Sequence, residues 1–253
     1  MRKWTFLGKL MYFLPVFWML SGSPAQAGTF GVNLVVNGDA EAQTAGRNGS
    51  LLTSYTGWVA DGKLGVYEYQ TTNSGYPRLS DPGPTDRGAN FFTGNENISQ
   101  ASAYQEIDLS FAATEIDAGT ATYDFSGWLG GYSAQGDNTV LALTFYSGTG
   151  QALGATSLGP VTPADRQNTT GLLQRSTTGA PPVGTRSAQV TMTMTRVSGS
   201  YNDGYADNIE LVLTSSSGTG GGTDVVSSSV IRFFNWAEDS CRIGSPRNGP
   251  RPG

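Results

Sequence analysis

The chain contains no histidine. That excludes Ser-His-Asp triads, Cys-His pairs, His-ligated zinc and every imidazole acid–base mechanism, and it leaves any catalysis to carboxylates, Tyr, Lys or Ser. The single cysteine, Cys241, cannot form an intrachain disulfide. Stability must therefore come from core burial or from a bound ion. Lysine is nearly missing, no stretch keeps a helical period, and there is no internal repeat. Beyond the first 27 residues no apolar run reaches the ~20 residues that a membrane-spanning helix needs.

What is present begins with a leader. Arg2, Lys3 and Lys9 precede an apolar run over Leu10–Leu20 that only Pro15 interrupts, and Ala25-Gln26-Ala27 supplies a small-x-small cleavage pattern. Residues 1–27 are expected to be a signal peptide, which places the remainder outside the cytoplasm: secreted, periplasmic or at the cell surface. Three of the chain's 15 bases lie in that leader and all 20 acids lie beyond it, so the remainder is more acidic than the net −5 of the whole. Such a charge repels phosphate backbones and disfavours nucleic acid as a partner.

The body reads as strands. Alternation with a period of two recurs over Leu64–Gln70, Ala103–Leu109, Thr139–Tyr146 and Ser187–Val197, with Gly/Pro/Asn-rich turns between. Further strands are expected at Asn33–Val36, Trp58–Val59, Asn90–Gly94, Thr120–Leu129, Ala152–Leu158 and Asn208–Leu213, with a bulge or bend at Gly127 and one helical turn within Phe111–Ala118. Residues 71–88 read as a long exposed loop. Many strands without βα alternation predict an all-β antiparallel β-sandwich over 28–214. A flexible Ser/Gly linker follows at 215–223. Residues 224–253, a short apolar piece and a basic Pro/Gly end, are unlike an independently folding unit.

The stretch Asn33-Leu-Val-Val-Asn-Gly-Asp-Ala-Glu41 is an apolar run that stops in a turn carrying two carboxylates. On its own it reads either as a first strand with a solvated acidic loop or as half of a calcium site. It resembles the opening of the galactose-binding-like β-sandwich superfamily, which includes carbohydrate-binding modules, and Ala206-Asp-Asn-Ile-Glu-Leu-Val-Leu213 resembles that group's closing strand. Phe125–Tyr132 and Ser200–Tyr205 are similar to secreted bacterial surface proteins of the PEP-CTERM type, although the tail has no Pro-Glu-Pro motif or terminal apolar span. The resemblance implies a jelly-roll sandwich whose two ends meet at a structural calcium ion (Ca2+), with Glu41 and Asp207 as ligands and Asp39 as a further candidate.

Three functions are open at this point. The first is non-catalytic carbohydrate binding, which pairs aromatic platforms with planar polar groups in loops. Its candidates are Tyr76, Trp128, Tyr132, Tyr201, Asn202, Asp203 and Tyr205. Of these, Tyr201 and Tyr205 stand out because they flank Asn202-Asp203-Gly204, a turn expected to be exposed. Core packing is the competing role for Trp128 and most of the tyrosines. The second function is a structural or adhesive extracellular protein that meets matrix or cell-surface components without a small-molecule site. The third is a glycoside hydrolase or lyase, which needs two acids across a cleft. A single acid with a raised pKa in a groove would speak for it.

Overall fold

Antiparallel pairing builds two five-stranded sheets in the computed structural model, which describes residues 28–42, 55–70 and 75–216. The expected signal peptide, nearly all of the linker and the whole of 224–253 lie outside the described residues. The strands are β1 (Val59–Ala60), β2 (Gly65–Glu68), β3 (Asn90–Thr93), β4 (Gln100–Asp108), β5 (Ala121–Gly131), β6 (Asn138–Ser147), β7 (Ala152–Leu158), β8 (Gly171–Gly179), β9 (Thr185–Thr195) and β10 (Tyr205–Ser215). One sheet runs β1-β4-β9-β6-β7 and the other β2-β3-β10-β5-β8. The expected helical turn is there, as a 3-10 turn at Ser110–Ala112 leading into α1 (Ala113–Asp117).

Period-two alternation places the core. In β9, Ala188, Val190, Met192 and Met194 point inward, while the threonines between them are half-exposed. Leu141, Leu143, Phe125 and Leu211 meet them from β6, β5 and β10, all fully buried. Each such Leu or Phe contributes roughly 1.5–3 kcal/mol of transfer free energy.

The second sheet is covered on both faces, which alternation alone did not anticipate. Val66, Phe92 and Ala206 face the main core, whereas their strand neighbours Tyr67, Phe91 and Tyr205 belong to a second buried cluster. The described part of the 71–88 loop is accordingly less exposed than expected: Pro77 and Pro84 are buried, and Tyr76 packs against that cluster.

Three strand expectations need correction. Asn33–Val36 is not a strand, because only Asn33 forms a bridge, to Val212. The Asn33 side chain takes partners that a neighbouring strand would otherwise supply, and Asn37 and Ala40 adopt φ of 52° and 60°, which ends any extended run. Gly127 is not a bulge, since β5 stays in register with β8 through it. The irregularity lies across the ladder in β10, between Asp207 and Glu210, where Asn208 has φ 44°. A Cβ on Gly127 would come within 2.6 Å of Leu141 Cδ1, so close packing explains that glycine. Finally, β8, which is absent from the expected strands, is an edge strand with alternating exposed residues.

The two ends of the domain do meet. Gly31 N–H donates to Leu213 O and Leu34 N–H to Leu211 O, each at 2.8 Å, and Ile209 N–H donates to Gly38 O at 2.9 Å. Asn33 adds two more links: its Oδ1 accepts from Leu211 N at 3.0 Å and its Nδ2 donates to Ile209 O at 3.2 Å.

Candidate functional site

Two loops and the start of the 75–88 segment form a cleft of about 330 Å³, lined among the described residues by Tyr76, Tyr132, Gln135, Ser200, Tyr201 and Asp203, with Gly75 and Gly199 at its edge. Tyr132 and Gln135 come from the β5–β6 connection, and Ser200, Tyr201 and Asp203 from the β9–β10 connection. Asp137 ties these two loops together. Its Oδ1 accepts from Val197 N at 2.6 Å and Ser198 N at 2.9 Å, and its Oδ2 accepts from Asp203 N at 3.0 Å. Arg166 works from the other side: its Nη1 donates to Ser133 O and Thr169 O, and its Nη2 to Gln135 O. Gly131 lets these groups approach, because a Cβ there would lie 2.7 Å from Asp137 O and 2.9 Å from Arg166 Nη2.

The aromatic walls rest on the second core. The Tyr76 ring lies 4.7 Å from Tyr67, tilted by 31°, and 6.3 Å from Tyr201 at a right angle. Both are ordinary aromatic pair geometries, so Tyr76 is held in place while Tyr201, 39% exposed, stands at the rim. Burial pushes the Tyr76 hydroxyl well above its usual pKa, helped by neighbouring Tyr67, and it stays a neutral donor and acceptor.

Asp203 is the chemically distinct group of the cleft. It is only 7% exposed. Its Oδ1 accepts the Tyr205 hydroxyl at 2.9 Å, and no described residue hydrogen-bonds Oδ2. Burial pushes its pKa up to about 6; the Tyr205 hydrogen bond and Arg166 pull it down, and Asp137 pushes it further up. Burial likewise raises the Tyr205 hydroxyl and lowers the Arg166 guanidinium.

Of the seven residues singled out for ligand contact, the structure brings Tyr76, Tyr132, Tyr201 and Asp203 to one cleft. The other three are corrections. Tyr205 is 0% exposed and Asn202 1%, so the turn between them is not the exposed one expected. Asn202 Nδ2 donates to Met194 O, its Oδ1 accepts from Gly204 N, and Tyr205 sits among Phe91 and Leu172. Tyr205 supports Asp203 from behind through its hydroxyl. Trp128 is half-buried in β5, opposite Asp207, and packs on the second core outside the cleft lining. Gln135, Ser200, Asp137 and Arg166 were missed. Polar residues in turns are too common to stand out, and nothing in sequence says which turn folds over which.

The three acids proposed as calcium ligands lie near one another, but their oxygens serve hydrogen bonds. Asp207 is fully buried; its Oδ2 accepts the Tyr69 hydroxyl at 2.7 Å and its Oδ1 accepts from Asn208 N at 2.8 Å. Glu41 Oε1 accepts from Ala89 N and Asn90 N, and Asp39 Oδ1 from Glu41 N. Burial raises Asp207 to about 8; Tyr69 and Asn208 N–H lower it, and Glu41 and Asp39 raise it. Asp39 and Glu41 do line a polar cleft of about 370 Å³ with Asp86, Asn208 and Glu210, which Asp207 does not enter. Calcium takes six to eight oxygens. Among the described residues no three acidic side chains gather closely enough to hold an ion by carboxylates alone.

No protein-family model matches the chain, and no curated protein matches it. Among solved structures, the chain is similar to the enzymatically active domain of tailspike protein 4 of bacteriophage CBA120, at 12% identity and a TM-score of 0.43, over 72% of this chain and 21% of that one. It is also similar to a family 16 carbohydrate-binding module, at 17% identity and 0.41, over 71% of this chain and 99% of the module. A third likeness is to the C-terminal family 22 carbohydrate-binding module of Clostridium thermocellum Xyn10B, at 15% identity and 0.35, over 66% and 93%. The β-sandwich itself rests on this chain's own strand pairing.

Proposed function

We propose that this chain is an exported, non-catalytic module that binds carbohydrate in the tyrosine-lined cleft. The observation that carries the reading is the convergence of Tyr76, Tyr132 and Tyr201 with Asp203 and Gln135 around one opening. Sugar rings present apolar faces for aromatic side chains and hydroxyls for planar polar groups, and this lining supplies both. Tyr201 is exposed and unencumbered by the core, so Tyr201→Ala should leave the melting transition in place while weakening binding roughly tenfold, about 1.4 kcal/mol. Tyr132→Ala should weaken binding as well, with some loss of stability because Tyr132 is partly buried against the second core. A glycan array followed by calorimetric titration on the best hit reads both effects. Full-strength binding in both variants would move the site elsewhere, and no binding to any glycan would favour the structural or adhesive alternative.

Asp203, buried and raised, is the kind of acid that a glycosidase uses. Glycosidases of the two-carboxylate kind need a second one, and the described lining has no other. Asp137, the nearest candidate, spends both oxygens on three backbone N–H groups. Binding without turnover is therefore the reading favoured here.

Export is the remaining part of the proposal. It predicts that the secreted or periplasmic protein begins at Gly28, which N-terminal sequencing of that fraction reads; an uncleaved Met1 in the same fraction would refute it.

A further inference from the structure

Resting on the carbohydrate reading, we infer that the cleft selects a sugar bearing a protonated amino group over neutral, acetylated or acidic sugars, with Asp203 as the group that reads the amine. Asp203 contributes the only charged side chain in the described lining. Its Oδ2 is unclaimed, while Oδ1 is held by Tyr205, so the carboxylate is fixed with one acceptor left over. The bases nearby donate to backbone carbonyls, although Arg166 Nε is buried without a partner among the described residues. Arg166 donates through both terminal nitrogens to backbone carbonyls, and Arg196 Nη1 donates to Ser200 O at 2.8 Å. Gln135 Oε1, buried behind the same lining, also has no partner among the described residues.

A ligand that closes over Asp203 removes its remaining water. A neutral sugar would then leave a desolvated charge balanced only by hydroxyl dipoles and the Arg166 guanidinium, itself held by backbone carbonyls, and a uronate would add a like charge. An ammonium group offers three donors and the opposite charge, and tyrosine rings around it add cation–π attraction. The same reasoning makes Asp203 a specificity residue rather than a catalytic one: it touches the ligand and no bond is made or broken.

The test uses the whole secreted chain and small ligands, because a polycation would adhere to any acidic protein. Glucosamine, N-acetylglucosamine, glucose and glucuronate, with their β-linked dimers, are titrated by calorimetry or ligand-observed NMR at about 0.15 M salt, where long-range attraction is screened. The amino sugar should bind at least about tenfold more tightly than its acetylated partner, the scale of a charge-assisted hydrogen bond. Asp203→Asn should erase that preference, whereas Glu106→Gln, which removes an exposed acid of β4 outside the cleft, should keep it. Equal or better binding of the neutral or acetylated sugar would overturn the amine preference and leave the carbohydrate reading standing. Loss of the preference in Glu106→Gln as well would reduce it to net charge and overturn the role of Asp203. No binding by any of the four sugars or dimers would overturn both readings.

Discussion

Gly38→Ala should lower the melting temperature by roughly 10 °C, although residue 38 lies in a turn far in sequence from the strand that it meets. A Cβ at that position would come within 2.1 Å of Ile209 O, a backbone atom of β10 that has no free rotation to escape by. Overpacking of this kind costs about 1–3 kcal/mol, and the displaced Ile209 N–H also loses its bond to Gly38 O. In a domain of this size each kcal/mol moves the midpoint by about 2–4 °C. Asn33→Ala should fall in the same range, because it strips a partner from Leu211 N–H, Val35 N–H and Ile209 O together. A melting temperature unchanged in both variants would mean that the joined ends are not part of the cooperative unit. The same melts decide the ion. With Glu41 and Asp207 already engaged in hydrogen bonds, the transition should be the same in calcium and in excess chelator. A clear rise in calcium would mean that an ion draws those oxygens away from Ala89, Asn90 and Tyr69, stabilising the folded state by mass action.

How far the sequence foretold this depends on which interactions are local. Period-two runs such as Val190-Thr-Met-Thr-Met194 gave the β9 core face directly, and β7 lies at the very residues expected. The joining of residues 33–41 to 206–213 was legible because both ends carry recognisable motifs. Its mechanism was not: the carboxylates drew attention, while the work falls to Asn33, a close-packed glycine and main-chain hydrogen bonds. The cleft was half legible. Tyr76, Tyr132, Tyr201 and Asp203 could be picked as aromatic or acidic residues in turns. The burial of Asn202 and Tyr205 could not, because it depends on contacts between distant parts of the chain: Asn202 lies against Gly94 and Asn95, and Tyr205 belongs to the cluster that Tyr76 packs against. Asp137 and Arg166 were invisible for the same reason, since each acts on loops that only the fold brings together.

Asp203→Asn should stabilise the protein at pH 7.5 while weakening its binding to an amino sugar. The folded-state pKa of Asp203, about 6, lies above its ordinary 3.8, chiefly through burial. Its contribution to stability is therefore whole below about pH 3.8 and lost as the pH rises through about 6. Above that range the folded protein holds a desolvated charge, faced by the Tyr205 hydroxyl and Arg166 on the favourable side and by Asp137 on the other, with Tyr76 nearby. A shift of this size corresponds to at most about 3 kcal/mol, which asparagine would recover while its oxygen still accepts from Tyr205. The difference in melting temperature between the variant and the parent should be several degrees at pH 7.5 and close to zero near pH 4, a comparison in which other acids such as Asp207 cancel. A side chain retained for structure would show the opposite sign, with the variant less stable at neutral pH. Destabilisation in Asp203→Asn at pH 7.5 would thus make Asp203 a structural carboxylate. Stabilisation together with lost binding would identify a group whose cost to the fold is tolerated for the ligand that it holds.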